Sequence, residues 1–334
     1  MSRIHISQSF DAGNIEVLQA DDPADIRLKI RPDRDSEFFQ WFYFRVAGVR
    51  DVALRLRLTN AAGAAFADGW EGYQALASAD REHWFRVPTR YVDGELLIEH
   101  TPDSDAVYYA YFVPYSLERH ADLLARTQAD ARVRLHLAGH SLQGRDLDVL
   151  QIGDDSGAQQ RVWVIARQHP GESMAEWLIE GLLARLLDRD DALAEHVLQR
   201  QVFYVVPNMN PDGSTLGHLR TNAAGVNLNR VWGKADTATS PEVFHVQRFM
   251  EQTGCDLFLD IHGDESIPYN FIAGQLGSPV VSSEILEQEA QFKQHLMQVN
   301  PDFQTEYGYA PDRFGPETLT LASYWVGQRL VFRP

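Results

Sequence analysis

Cysteine is almost absent from this chain, since Cys255 is the only one among 334 residues. A single thiol excludes an internal disulfide and also a zinc cluster built from several cysteines. No apolar run approaches the roughly 20 residues that a membrane-spanning helix needs, and the N-terminal residues lack the apolar core of a secretion signal. The sequence therefore predicts a soluble cytoplasmic protein that is not held in a membrane.

Basic residues are also scarce relative to acidic ones. Lysine and arginine number 30 against 47 aspartates and glutamates, which gives a formal net charge of −17. This excess argues against nucleic acid or an anionic membrane as a partner, because both repel negative charge. Acidic peptides are not excluded, because a binding site can be locally basic. With 44% hydrophobic residues, the chain has enough apolar material for two domains.

Residues 1–115 have the pattern of a β-domain. Apolar residues alternate with polar ones or cluster as aromatics in short segments, and turn-forming residues separate these segments. The predicted strands are Ile26–Ile30, Gln40–Val46, Val52–Leu58, Trp84–Val87, Glu95–His100 and Ala106–Phe112. Short strands of this kind predict an antiparallel β-sandwich over an aromatic core.

Residues 116–334 change to an alternation of helices and strands, which predicts an α/β domain with a mixed, mainly parallel sheet flanked by helices. The predicted helices are Leu117–Ala129, Ser173–Leu187, Ala192–Gln199 and one that begins at Ser240 and Pro241. The predicted strands are Val133–Leu137, Leu147–Ile152, Arg161–Ile165, Gln201–Val206 and Asp256–Asp260, with a long loop from Asn210 to Trp232.

Candidate metal ligands follow two of these strands. His169 and Glu172 stand where one strand ends and a helix begins, and His262 comes just after a second buried strand. Since ligands bind at the carboxyl ends of such strands, the three side chains are expected to converge. Two imidazoles, a carboxylate and an open fourth position match a catalytic zinc site. Asp260 is either an ordinary strand-end carboxylate or the group that orients a ligand histidine.

The long loop carries the other candidate site residues. Asn229 and Arg230 offer an amide and a planar guanidinium, which together suit a carboxylate. A further arginine near the metal, such as Arg220, can stabilise an oxyanion on an attacked carbonyl. The alternative is that these arginines are solvated, as most loop arginines are.

Four motifs in this order resemble the zinc carboxypeptidases, and most closely their cytosolic branch, which also has an N-terminal β-domain. The motifs are His-Pro-Gly-Glu-Ser at 169–173, Asn-Pro-Asp-Gly at 210–213, Leu-Asn-Arg at 228–230 and Asp-Ile-His-Gly at 260–263. The resemblance implies one zinc held by His169, Glu172 and His262. It also implies that Asn229 and Arg230 bind the C-terminal carboxylate of a peptide or protein, and that Arg220 lies on the oxyanion side.

One family feature has no match. The resemblance leads us to expect a general-base glutamate near the C-terminus, yet no carboxylate follows Glu317. We therefore expect that the chain is truncated relative to the family and that hydrolysis is slow, because general-base assistance typically gives about 10²–10⁴-fold in rate. Glu265, Glu306 and Glu317 are the alternatives for the base, although none has the expected context.

Three functions compete at this point. The leading one is a zinc metallocarboxypeptidase that removes C-terminal residues, with glutamate as the residue that the family branch suggests. The second is a zinc-loaded peptide-binding protein with weak or no catalysis, and the third is a zinc amide hydrolase of N-acyl amino acids. The β-domain is expected to be a substrate-access or specificity module that packs tightly on the rest, because no linker separates them.

Overall fold

A computed structural model describes residues 4–157, 159–274, 281–310 and 320–331 of the chain. The strands of the N-terminal part are β1 (His5–Ser7), β2 (Glu16–Gln19), β3 (Ile26–Lys29), β4 (Tyr43–Ala47), β5 (Leu54–Leu58), β6 (Leu76–Ser78), β7 (Phe85–Arg86), β8 (Thr89–Val92), β9 (Glu95–His100) and β10 (Ala106–Ala110). They form two five-stranded sheets, in the orders β1-β4-β10-β6-β7 and β2-β3-β5-β9-β8.

The two N-terminal sheets share one core, which confirms the predicted sandwich. Along β5, Leu54, Leu56 and Leu58 are buried while Arg55 is exposed, as a strand with one covered face requires. The buried aromatics of this core include Trp41, Phe42, Tyr43, Phe44, Trp70, Tyr109 and Tyr111. The sandwich departs from a purely antiparallel arrangement at one place, where β3 pairs with β5 in parallel.

The C-terminal part contains a third sheet. Its strands are β11 (Val133–His140), β12 (Asp146–Ile152), β13 (Gln160–Ala166), β14 (Gln201–Val206) and β15 (Leu257–Ile261), in the order β11-β12-β14-β13-β15. The helices are α1 (Leu117–Gln128), α2 (Met174–Leu186), α3 (Ala192–Leu198), α4 (Pro211–Leu216), α5 (Pro241–Thr253), α6 (Ser283–Val299) and α7 (Ala322–Val326). None of the helices described is both long and apolar enough to span a bilayer.

The third sheet is mixed, and helices cover both of its faces. β13 pairs in parallel with β14 and β15, whereas β11, β12 and β14 pair antiparallel. Val162 and Val164 face a core formed with α2, and Trp163 and Ile165 face a second core formed with α5 and α7. This alternation explains why β13 reads as an uninterrupted apolar run. The predicted fold class is confirmed, although only half of the described pairings are parallel.

Parallel pairing decides where the functional residues meet. Ala166 at the end of β13 lies opposite Ile261 at the end of β15. The segments that leave these two strands therefore emerge side by side at one edge of the sheet.

Two local predictions differ from the structure. The stretch predicted as one long loop contains α4, which Asn210 caps by accepting a hydrogen bond from the Gly213 amide. Trp41 and Phe42 are buried in the aromatic core but precede β4, which begins at Tyr43. The domain boundary near residue 115 stays a prediction.

Candidate metal centre

His169, Glu172 and His262 come together at the edge of the third sheet. One ligand atom from each lies within 4.8 Å of the other two. The Nδ1 atom of His169 is 2.7 Å from Oε1 of Glu172, and Nδ1 of His262 is 2.7 Å from Oε2 of the same carboxylate. The three residues that the sequence singled out as metal ligands thus face one point, with the carboxylate between the two imidazoles.

The turn that carries His169 and Glu172 is built around a buried arginine. Arg167 has a left-handed φ of 57° directly after β13, which is a costly conformation for a side chain of this size. Its guanidinium donates to the carbonyl groups of Pro170 and Tyr115 and to the Glu176 carboxylate. Because these contacts hold both sides of the turn, His169 and Glu172 are fixed from inside the protein.

His262 is held by the end of β15 and by close packing behind it. A Cβ atom on Gly263 would lie 2.1 Å from the Met174 sulfur, so a larger residue there would displace the Met174 side chain. The Gly263 amide donates to Oε2 of Glu172 at 3.0 Å. The turn after β15 is therefore tied directly to the Glu172 carboxylate.

The far nitrogens of both histidines lie within hydrogen-bond distance of an oxygen acceptor. Nε2 of His169 lies 3.1 Å from the Asn227 side-chain oxygen, and Nε2 of His262 lies 3.0 Å from the Asp260 carboxylate. If each Nε2 carries the proton, each Nδ1 presents a lone pair toward Glu172. Asp260 thus has the orienting position that the sequence left open. Asn227 was missed, because a loop asparagine has no distinguishing pattern.

Electrostatics in the cluster favour a bound cation. Burial and the positive charge of Arg220 lower the pKa of His169 to about 4, so its imidazole is neutral at pH 7. Burial alone would raise the pKa of Glu172, but the two imidazoles outweigh it and hold the pKa well below its usual range. Burial alone would also lower the pKa of His262, but the charges of Asp260 and Glu172 raise it.

The donor set fits zinc. The Nδ1 atoms of two imidazoles lie 2.7 Å from one carboxylate, and a proton or a metal ion can bridge each of these contacts. Neutral imidazole nitrogens and a carboxylate oxygen are the ligands that catalytic zinc sites use. Ligand histidines in those sites also donate their second N–H to an oxygen, as Asn227 and Asp260 allow here.

The loop residues predicted to contact substrate occupy different positions. The Asn229 amide nitrogen lies 3.1 Å from Nε2 of His262, and its oxygen accepts from the Ala322 amide at 2.9 Å. Arg230 is exposed and donates to the Asn229 carbonyl at 2.7 Å. Arg220 is half-buried, and its charge acts on His169. Asn229 and Arg220 thus lie beside the candidate centre, and the predicted roles of all three stay predictions.

The three glutamates considered as the general base differ in their surroundings. Burial and the charge of Glu172 raise the pKa of Glu265 to about 8, with Arg220 opposing the shift. Glu265 therefore lies in the electrostatic field of the centre. Glu306 is exposed, and Glu317 lies outside the described residues.

Family models match both parts of the chain. A model described as the cytosolic carboxypeptidase N-terminal domain matches residues 6–112, and one described as zinc carboxypeptidase matches residues 118–308. The second match covers more than half of the chain. The two matches agree with the resemblance that the four motifs carry.

Three relatives extend the likeness over nearly the whole chain. A metallo-carboxypeptidase structure from Burkholderia cenocepacia is 45% identical, covers 98% of this chain and 87% of its own, and has a TM-score of 0.96. A metallo-carboxypeptidase from Pseudomonas aeruginosa, in complex with (2-guanidinoethylmercapto)succinic acid, is 46% identical, covers 97% and 86%, and has a TM-score of 0.93. An uncharacterized protein of Zymomonas mobilis is 46% identical over 98% of this chain and 85% of its own length.

Proposed function

The chain belongs to the zinc carboxypeptidase family, and we propose that it binds one zinc ion and hydrolyses C-terminal residues from peptides or proteins. The convergence of His169, Glu172 and His262 carries this proposal, because it supplies three zinc ligands within 4.8 Å of one another. When bound, zinc supplies a Lewis acid that polarises the scissile carbonyl and acidifies a water molecule.

Residues around the three ligands are assigned the orientation of the histidines and the stabilisation of charge on the substrate. We assign Asn227 and Asp260 as the acceptors for the Nε2 protons that the two histidines would carry with their Nδ1 atoms on zinc. To Arg220, whose charge lowers the pKa of His169, we assign the stabilisation of negative charge on the attacked carbonyl oxygen.

Substrate capture is assigned to Asn229 and Arg230. A C-terminal carboxylate suits the planar fork of an exposed guanidinium next to an amide. The ligand in the Pseudomonas aeruginosa relative carries a succinic acid group, which supports a site that accepts carboxylates. The chemistry of that ligand does not select glutamate, so glutamate preference rests on the family branch alone.

Trimming of a mixed peptide pool tests the proposed activity. Zinc-loaded protein should remove single residues from free C-termini, leave C-terminally amidated peptides intact, and stop when a chelator is added. Mass spectrometry of the pool reads all three results. Binding of peptides without turnover would instead favour a peptide-binding protein, and hydrolysis of N-acyl amino acids alone would favour an amide hydrolase.

Arg230→Ala tests the carboxylate site. Binding of free-acid peptides should weaken by about 2–5 kcal/mol, because the substrate carboxylate would be left unpaired, while affinity for amidated peptides stays the same. Arg248→Ala, which removes an exposed arginine from α5, serves as the control. Equal binding of free-acid and amidated peptides by the wild type would remove this part of the proposal.

A further inference from the structure

The segment that carries Arg220 is anchored in the β-domain, although it belongs to the C-terminal part of the chain. The Leu219 side chain is 1% exposed and lies within the aromatic core of the sandwich. The neighbouring His218 accepts a hydrogen bond at Nε2 from the Arg34 amide at 3.1 Å. The backbone on both sides of Arg220 is thereby attached to the first 115 residues.

Asp33 makes the shortest hydrogen bonds between the β-domain and the segment that carries Arg220. Its Oδ1 atom accepts from the Leu219 amide at 2.6 Å, and its Oδ2 atom accepts from the Arg220 and Thr221 amides, each at 2.8 Å. The Thr221 hydroxyl adds a fourth bond at 3.0 Å. Asp33 itself is 3% exposed. A buried carboxylate that accepts three successive amides fixes the direction of that backbone, because hydrogen bonds to a charged acceptor are short and strong.

The β-domain also surrounds the Arg220 side chain. The guanidinium carbon lies 5.6 Å from the centre of the Phe38 ring and 5.4 Å from the centre of the Phe66 ring. Such cation–π contacts hold a guanidinium without occupying its N–H groups. The donors of Arg220 are therefore not consumed by the two rings.

The same segment reaches the turn that carries the metal ligands. The Leu219 carbonyl accepts from the Gly171 amide at 2.9 Å, and Gly171 lies between His169 and Glu172. The Leu219 peptide units thus link Asp33 on one side to the candidate centre on the other.

We propose that Asp33 is a positioning residue that acts through Arg220, so that the β-domain sets the place of the oxyanion-side guanidinium. The proposal rests on the proposed function for the chemical role of Arg220, but the attachment itself is a property of the chain. It assigns the β-domain a part in catalysis beyond substrate access.

Asp33→Asn is the first test, because it keeps the size of the side chain and removes its charge. Hydrogen exchange at the amides of residues 219–221 should become faster, while zinc content stays at the wild-type level. The kcat should fall about 10²-fold, as expected when a catalytic group is displaced by about 1 Å, with a smaller change in KM. Asp35→Asn, an exposed aspartate of the same turn, should match the wild type in every measurement.

A double-mutant cycle separates positioning from a general structural effect. In an Arg220→Ala background, Asp33→Asn should cause no further loss of kcat or of affinity for (2-guanidinoethylmercapto)succinic acid. The same fold-loss in both backgrounds, or unchanged exchange at 219–221, would overturn the proposal. If Asp33→Asn fails to fold, Thr221→Val is the second test, because it removes only the bond from the Thr221 hydroxyl to Asp33. This variant should show the same changes in exchange and kcat, each of them smaller. A wild type without turnover refutes the proposed function alone, and exchange and ligand affinity then decide the positioning role.

Discussion

The two histidines of the candidate centre leave strands with very different surroundings. Every residue from Val162 to Ala166 in β13 is at most 1% exposed, and Arg167 continues this buried environment into the turn before His169. β15 lies at the end of the described sheet, where Leu257 is 42% exposed and residues 258–261 are half-buried. The comparison indicates that one half of the centre is built into the core, whereas the other follows a strand that is only partly buried among the described residues.

The largest effect should come from breaking the buried half. Arg167→Met removes the arginine partner of the Glu176 carboxylate, which is 0% exposed and keeps contacts with the His120 ring and the Asn208 amide. Removal of one partner from a buried ion pair costs about 3–5 kcal/mol of unfolding free energy, and urea unfolding measures that loss.

Arg185→Met on α2 is the control for this change. Its ion pair with Asp191 lies on the surface, where the arginine side chain is 68% exposed, and such pairs contribute about 0–1 kcal/mol. Losses of the same size for the two variants would show that the turn before His169 is not built on Arg167.

Burial should also give stability a pH dependence through Glu242 on α5. Glu242 is 0% exposed, and burial raises its pKa to about 7 from an ordinary value of 4.5. Because the folded state keeps this proton where the unfolded state has lost it, the contribution of Glu242 to unfolding free energy should fall as pH rises from 4.5 to 7. The expected fall is about 3 kcal/mol.

Unfolding at pH 5 and pH 8 measures this dependence. Glu242→Gln should reduce the difference by about 3 kcal/mol, and Glu251→Gln, an exposed glutamate at the end of the same helix, should leave it unchanged. An identical pH dependence in Glu242→Gln and the wild type would contradict the assignment.

A smaller effect is expected at the exposed half. Asp260→Ala removes the acceptor for Nε2 of His262, and loss of such an orienting group typically weakens metal affinity about 10–100-fold. Unfolding free energy should fall by less than in Arg167→Met, because Gln168 loses a hydrogen-bond acceptor while His262 keeps its contact with Glu172.

Asn227→Ala is the matched change at His169. It should lower zinc affinity by less than Asp260→Ala, because the Arg167 contacts still fix that turn. Competition with a chromophoric chelator ranks the two variants. A larger loss of zinc affinity in Asn227→Ala than in Asp260→Ala would contradict the comparison between the two halves of the centre.

Sequence patterns predicted the parts of the fold that depend on burial. β9 and β14 begin and end where alternating or continuous apolar residues predicted them. Short strands such as β1 and β6, with three residues each, were missed because they are too brief to establish a period. α4 was missed because Pro-Asp-Gly-Ser has the composition of a turn, and its helix depends on the cap at Asn210.

The residues of the candidate site were also predicted only in part. His169, Glu172 and His262 were predictable because strand ends bring ligands together and their residue types suit zinc. Asp33, Asn227 and Arg167 were not, because each acts through contacts with residues distant in sequence or through an unusual backbone angle. No local pattern marks a polar side chain that is buried for such a reason.

Zinc content is the most direct test of the central claim that His169, Glu172 and His262 form one metal site. Protein loaded with zinc and dialysed extensively should retain about one ion per chain, as measured by mass spectrometry of the metal. His169→Ala and His262→Ala should each lose it while keeping the circular dichroism spectrum of the wild type. A zinc-free wild type after loading, or full retention by both variants, would contradict the account.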